Sequence, residues 1–360
     1  ALDRAGSPLD PGLRALVQVR VSQINGCAFC VDANSAAALE RDVDPDKLAA
    51  LADATDAPVF DARERVIQCE PASTHASSSL GDVAQTLGDL GLRIVIDATA
   101  SEAVAERHAQ WLAQGIHVVT ACKLGQGTSL ARWREIQAAR RAGGTAYGDS
   151  ATVGAGLPLL RTIRALQAGG DRIHAIAGVL SGSLAWLFNH YDGLRPFSGF
   201  VRQARDAGYT EPDPRDDLSG EDVRRKLLIL ARAAGVALEN VHVEVASLMP
   251  PHLAALSVAG FNAALSELDA PLRERYATAY KRGEKLRFIA RLENGKARVG
   301  IESLSADHPL AGGAGSDNRV AIWSDRYRRQ PLTIQGPGAG AEVTAAGLLD
   351  DVLEIADSRH

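Results

Sequence analysis

Four cysteines, one methionine and 5% aromatic residues are little for a chain of 360. So few cysteines over this length exclude a disulfide framework as the source of order. No apolar run reaches the roughly 20 residues of a membrane-spanning helix, and no secretory leader opens the chain, so a cytoplasmic setting is expected. A net charge of −5 removes the electrostatic footprint of a nucleic-acid or anionic-membrane partner. What is present is a 46% hydrophobic composition, enough to bury the cores of two or three domains.

The densest chemistry lies between Gly208 and Lys226, where Glu211, Asp213, Asp216, Asp217, Glu221 and Asp222 place six carboxylates around Pro212 and Pro214. Ser219 reads as an N-cap, and Val223, Leu227, Leu230 and Ala234 then recur as a helical stripe over 219–235. At about 100° per residue, Asp222 and Lys226 fall on the edge of that stripe, and Arg224, Arg225 and Arg232 point away from it. An acid and an amine carried inward ask for a chemical reason. Ser219 to Asp222 also has the spacing of a capping box, and Asp222 with Lys226 that of a surface i,i+4 pair. The loop before the helix adds weight to the chemical reading, because crowded like charges cost stability unless they hold a cation.

The segment Tyr209 to Lys226 resembles the signature of homoserine dehydrogenases. The likeness continues in order through Ile94-Val95-Ile96-Asp97-Ala98-Thr99-Ala100-Ser101, His117 to Lys123, Ala151 to Pro158, Gly178 to Leu184 and Gly336 to Gly347. It covers about residues 80–360 and is nearest to the dehydrogenase half of bifunctional aspartokinase–homoserine dehydrogenases. It implies an α/β and α+β protein: an incomplete Rossmann-type nucleotide domain over 83–145 and 331–360, and a mixed-sheet substrate and dimerisation domain over 146–330. Strands are expected at 172–180, 286–292, 297–302 and 319–324, and helices near 101–114, 129–142, 197–207, 252–267 and 270–282.

The same resemblance implies NAD or NADP as cofactor, held by Thr99, Ala100, Ser101, Lys123 and Gly340, and an amino-acid substrate held by Glu211, Asp217, Tyr209, Gly182 and Ser183. From the residues alone, Tyr209 reads equally as a core aromatic and Ser183 as a helix N-cap. Lys226 is the expected acid/base, made effective by partial burial and oriented by Asp222, with Lys123 as the other candidate. Carbonyls of Val153, Ala155 and Leu157 match a sodium loop, although Ser150 stands where some relatives have an acid; a plain strand-to-helix turn is the other reading. A homodimer is implied as well. The family's opening strand, Gly-x-Gly-x-x-Gly turn and helix find no counterpart before residue 94. Gly336-Pro337-Gly338-Ala339-Gly340-Ala341 fits the pattern formally, but too little chain follows it for a βαβ unit, so a C-terminal helix packing on the nucleotide domain is expected there.

The first seventy residues differ in character and form an all-α N-terminal segment. Cys27-Ala28-Phe29-Cys30 follows the helical pattern Leu13 to Val21 and resembles the Cys-x-x-Cys of the alkylhydroperoxidase and carboxymuconolactone decarboxylase-like family. A thiol at a helix N-terminus with a resolving partner suits redox exchange. Peroxidatic members carry a glutamate and a histidine for proton relay where this chain has Ala15 and Asn34, so a retained helical oligomerisation element or a remnant of gene fusion is expected instead. Residues 71–82, small and polar, read as a linker.

Overall fold

The computed structural model describes residues 11–12, 15–16, 18–19, 28–51, 80–88 and 91–357. The chain divides into two units, residues 1–88 and 89–360. In the first, helix α1 (Ala28–Leu39) and helix α2 (Pro45–Ala50) enclose a small core of Ala15, Leu16, Val19, Ala38, Val43 and Leu51. Helix α2 starts where it does because Asp44 accepts a hydrogen bond from the Asp46 amide and Pro45 fills the first turn. Helix α3 (Val83–Leu87), read from sequence as the start of the nucleotide half, groups with this unit instead.

The second unit opens with strand β1 (Ile94–Asp97), helices α4 (Glu102–Ala105) and α5 (His108–Ala113), strand β2 (His117–Thr120), helix α6 (Leu130–Gly143) and strand β3 (Tyr147–Gly148). The three strands form a parallel sheet in the order β1-β2-β3, with Asp97 paired to Thr120. Among the described residues β1 has no partner on its outer edge, and Ile96 is 56% exposed there. Among the described residues this is a three-stranded parallel sheet with helices between its strands, the α/β arrangement expected from sequence.

A six-stranded mixed sheet follows, built from β4 (Ile173–Val179), β5 (Val243–Val245), β6 (Lys285–Glu293), β7 (Lys296–Leu304), β8 (Asn318–Ser324) and β9 (Leu332–Gly336) in the order β5-β7-β6-β4-β8-β9. Strands β6 and β7 turn through Asn294 and Gly295, both at positive φ, the two-residue hairpin turn that Asn-Gly favours. Strand β9, assigned from sequence to the nucleotide half, is antiparallel to β8 in this sheet. Helices α12 (Pro251–Ala254), α13 (Val258–Ala264) and α14 (Asp269–Lys281) fall between β5 and β6 along the chain, and the closing helix α15 (Ala341–Asp357) lies against β2 and β3.

Helix α7 (Leu159–Ala168), helix α8 (Gly182–His190), helix α9 (Phe197–Asp206) and helix α11 (Glu221–Ala233), the last preceded by the short α10 (Pro214–Leu218), cover one side of the mixed sheet. The core lies between them, where Phe197, Phe200, Phe261, Phe288, Leu227 and Leu230 are buried. Each such side chain withdraws enough apolar surface for roughly 1.5–3 kcal/mol. Helix α11 packs on β5, β6, β7 and α7, so it is enclosed on several sides. Leu227→Ala leaves a cavity there, and a loss of about 2–5 kcal/mol is expected in urea unfolding; a loss below about 1 kcal/mol contradicts this packing.

Candidate active site

Two helices, not one continuous helix from 219, carry the acid-rich segment. Ser219 ends α10, and Gly220 caps α11 in the left-handed region at φ 78°. Glycine is required twice over, since a Cβ here would meet Phe288 Cζ at 3.0 Å. Ser219 still serves the next helix, accepting from the Glu221 amide at 3.2 Å.

One turn into α11, Lys226 is buried, 8% exposed. Its Nζ donates to the Leu180 carbonyl at 2.8 Å and to Asp222 Oδ2 at 2.8 Å. Lys123, just beyond the end of β2, reaches the other oxygen of the same carboxylate at 3.3 Å. Two ammonium groups from opposite halves of the unit therefore share one carboxylate, and the surface-pair reading of Asp222 and Lys226 falls. Loss of solvation works to raise the Asp222 carboxyl, but attraction to Lys226 and Lys123 prevails and holds it at about 2. Asp222 keeps a 42% exposed side chain, so an opening to solvent remains beside the buried amine.

The substrate-side acids surround the junction of β4 and α8. Ser181, not Ser183, is the N-cap of α8, accepting from the Leu184 amide. Ser183 is buried and donates to Asp217 Oδ1 at 2.6 Å, while the Glu211 amide donates to Asp217 Oδ2 at 2.9 Å. Burial pushes the Asp217 carboxyl up, the hydrogen bond from Ser183 opposes this, and the charge of Asp222 adds to the rise. Asp213 is not free for a ligand, because Arg215 pairs with it. The Glu211 side chain is exposed and makes no ion pair among the described residues. Tyr209 is not a core aromatic: it is 45% exposed and stacks on Trp186 at 5.3 Å. Gly182 opens α8 against the Ser316 carbonyl.

On the nucleotide side, Thr99 and Ala100 are exposed just past β1, and Ser101 caps α4 through the Val104 amide. Asp97 shapes this turn, accepting from the Thr99 amide at 2.9 Å and its hydroxyl at 2.7 Å. The same buried carboxylate meets His108 Nε2 at 2.9 Å, and His108 Nδ1 meets the Tyr147 hydroxyl at 2.9 Å. Sequence reasoning missed His108 and Tyr147, which are 39 residues apart and meet only because α5 packs on β2. It also misplaced Arg232, assigned to the outer face of α11 but buried at 3%. The last two turns of α11 are enclosed all round, which a single-face projection cannot anticipate.

Gly340 is exposed at the start of α15 and belongs to no parallel βαβ unit, since the strand before it is antiparallel. In the proposed cation loop, Gly154 and Ala155 both have positive φ. The Leu157 carbonyl there accepts from the Leu159 amide at 2.7 Å, and Gly347 of α15 lies over the Ala155 carbonyl. Ser150 gives both its amide and its hydroxyl to Asp351, at 2.9 and 2.6 Å. Cys27 and the side chain of Cys30 lie outside the described residues, as do residues 71–79 of the expected linker. No helix among the described residues is long and apolar enough to cross a membrane.

Comparison with known proteins decides the family. Residues 158–353 match the homoserine dehydrogenase family model. A homoserine dehydrogenase of Emericella nidulans is 39% identical over 278 residues, covering 74% of this chain and 76% of that protein. The chain belongs to the homoserine dehydrogenase family. A bifunctional aspartokinase/homoserine dehydrogenase of Zea mays is 44% identical over 267 residues, 73% of this chain. The chain spans only 29% of that longer relative. The fold is shared with a hyperthermophilic archaeal homoserine dehydrogenase solved in complex with NADPH, at a TM-score of 0.57 and 21% identity, covering 74% of this chain and 72% of that one. Residues 1–67 match the carboxymuconolactone decarboxylase family model.

The depressed Asp222 carboxyl makes a pH test possible. Its folded value of about 2 lies below the roughly 4 of an unfolded aspartate, so its stabilising contribution is present above about pH 4 and fades as pH falls toward 2. Asp222→Asn is therefore expected to lower the urea midpoint at neutral pH, with the gap from the unsubstituted chain narrowing between about pH 4 and 2.5. A gap that stays constant through that range contradicts the shared ion pair.

Proposed function

We propose that this chain interconverts L-homoserine and aspartate 4-semialdehyde by hydride transfer with NAD or NADP. The observation that carries the reading is the Lys123–Asp222–Lys226 cluster, where a buried amine and a second ammonium meet at one carboxylate beside the ends of a dinucleotide-type sheet. A nicotinamide dinucleotide, when bound, supplies or accepts the hydride. Lys226 then handles the proton: in the reducing direction its ammonium donates to the aldehyde oxygen, and in the oxidising direction the amine takes the proton of the hydroxyl. Asp222 orients Lys226 and leaves its opening to solvent for proton return. Lys123, at the end of β2, faces the cofactor side of the same cluster and fixes the substrate oxygen.

The substrate's own ammonium supplies what Asp217 lacks. That carboxylate is raised by burial and has hydrogen bonds but no cationic partner among the described residues, so an arriving ammonium relieves its cost, with exposed Glu211 at the rim as a second acid. Tyr209, stacked on Trp186, and Gly182, at the start of α8, line this side in the same reading. Thr99 and Ala100, exposed at the end of a parallel strand, and half-buried Ser101 fit the nicotinamide end of the dinucleotide, and Gly340 is assigned to the same cofactor. No Gly-x-Gly-x-x-Gly turn leading from a parallel strand into a helix occurs among residues 91–357, so weak cofactor binding is part of the reading. A sodium ion on Val153, Ala155 and Leu157 fits poorly, because the Leu157 carbonyl already has an amide partner and α15 covers that of Ala155; no step depends on it. A homodimer through the mixed sheet completes the proposal, with Ala175, Arg291 and Trp323 sharing one shallow concavity on that sheet.

The test is a direct NADPH titration followed by an assay of homoserine-dependent NAD(P) reduction. Millimolar-range cofactor binding and turnover are expected. Lys226→Ala is expected to lose about 10²- to 10⁴-fold in kcat, the usual range for a proton-transfer group. Absence of cofactor binding at millimolar concentration contradicts the reading, and so does a Lys226→Ala chain of undiminished activity.

A further inference from the structure

Arg232 sits six residues beyond Lys226 on the same helix; it is charged and buried, and among the described residues no carboxylate is in hydrogen-bonding contact with it, Glu239 attracting it only from farther away. A buried cation of this kind is costly unless its hydrogen bonds are filled. Its guanidinium fills them with backbone carbonyls alone: Gln126, Thr128 at 2.8 Å, and Leu238 at 2.9 Å from one nitrogen and 3.3 Å from another. With 3% of the residue exposed, burial draws its pKa down to about 10. Two of those carbonyls belong to the loop that follows Lys123, so the expense falls on one loop in particular.

Other contacts close the same loop. The Gly127 amide donates to the Lys123 carbonyl at 2.6 Å, and the Thr128 hydroxyl donates to the Leu124 carbonyl at 2.8 Å. Gln126, also buried, donates its side-chain amide to Asp149, which Arg164 holds through two 2.6 Å hydrogen bonds. Gly127 is pressed onto α11 itself. A Cβ there would stand 2.7 Å from the Lys123 carbonyl and 3.1 Å from both Cβ and the carbonyl of Arg225. Residues 123–128 are thus a single closed turn, seated on the helix that carries Lys226 and pinned by a cation from that helix.

We propose that Arg232 is a positioning residue, clamping the Lys123–Thr128 turn onto α11 so that the Lys123 ammonium stays at Asp222, opposite Lys226. The clamp joins the nucleotide-side sheet to the substrate-side helix, with Gly127 providing the close approach. This deepens the proposed function and rests on it for its kinetic consequence.

Hydrogen–deuterium exchange of the whole chain without cofactor, comparing Arg232→Met, Arg232→Lys and Gly127→Ala with the unsubstituted protein, tests the clamp. In Arg232→Met and Gly127→Ala, amides of residues 124–128 are expected to exchange at least about tenfold faster while the mixed sheet keeps its protection. Arg232→Lys, which keeps the charge but cannot fork to three carbonyls, is expected to restore protection only in part. In the homoserine assay both loosened variants are expected to lose about tenfold or more in kcat with KM for homoserine within twofold. Unchanged exchange at 124–128 overturns the proposal, as does exchange that rises equally across the mixed sheet, because Gly127→Ala leaves the buried cation intact. Exchange decides the clamp whether or not the unsubstituted chain turns over homoserine, so a silent chain would count against the proposed function alone.

Discussion

One carboxylate holds two amines. Asp222 draws Lys226 from the substrate-side helix and Lys123 from the end of a parallel strand onto its two oxygens. The rest of the second unit can be understood as the apparatus that makes this meeting possible. The mixed sheet and its helices bury the stem of Lys226, the parallel sheet delivers Lys123, and Gly220 and Gly127 let backbone approach closely enough on either side. Together at one acid, the two amines form a local concentration of positive charge, which is what the proposed chemistry uses.

Around that centre the acids divide their labour by environment. Asp222, held far below the usual carboxylate range by its two cations, stays ionised throughout the neutral range. Asp217, a short distance along the chain, is pushed the other way by burial and steadied only by Ser183 and a backbone amide. Two aspartates five residues apart thus have opposite needs: one already has its cations and the other lacks one. That contrast gives the site a direction, and it is the basis for proposing the reacting oxygen at the lysines and the amino-acid head group at Asp217 and Glu211.

The family was legible in the sequence because its motifs are contiguous, and three residues singled out there, Lys226, Asp222 and Lys123, are brought together by the fold. Also legible were the long strands β4, β6, β7 and β8, whose alternating patterns exceed six residues. Strand β5 escaped notice and β9 was given to the wrong sheet, because each is short and takes its meaning from a partner strand that the sequence does not name. The break between α10 and α11 was hidden because Ser219 has cap chemistry while Gly220 has the cap conformation. Arg232 was misread for a different reason. A helical projection assumes one wet face, and α11 loses its wet face where the nucleotide-side loop crosses it. The Asp97–His108–Tyr147 network leaves no local trace either, since its members come from a strand end, a helix and a second strand.

The central claim is that the Lys226 ammonium is buried, shielded from bulk water and placed to meet substrate. Nitrogen-15 and proton NMR of lysine side chains, with the Lys226 signal assigned by its loss in Lys226→Met, examines this directly. A slowly exchanging Nζ resonance is expected that moves when homoserine is added and broadens into solvent exchange in Asp222→Asn. A Lys226 resonance exchanging as fast as surface lysines, and indifferent to homoserine, would contradict the account.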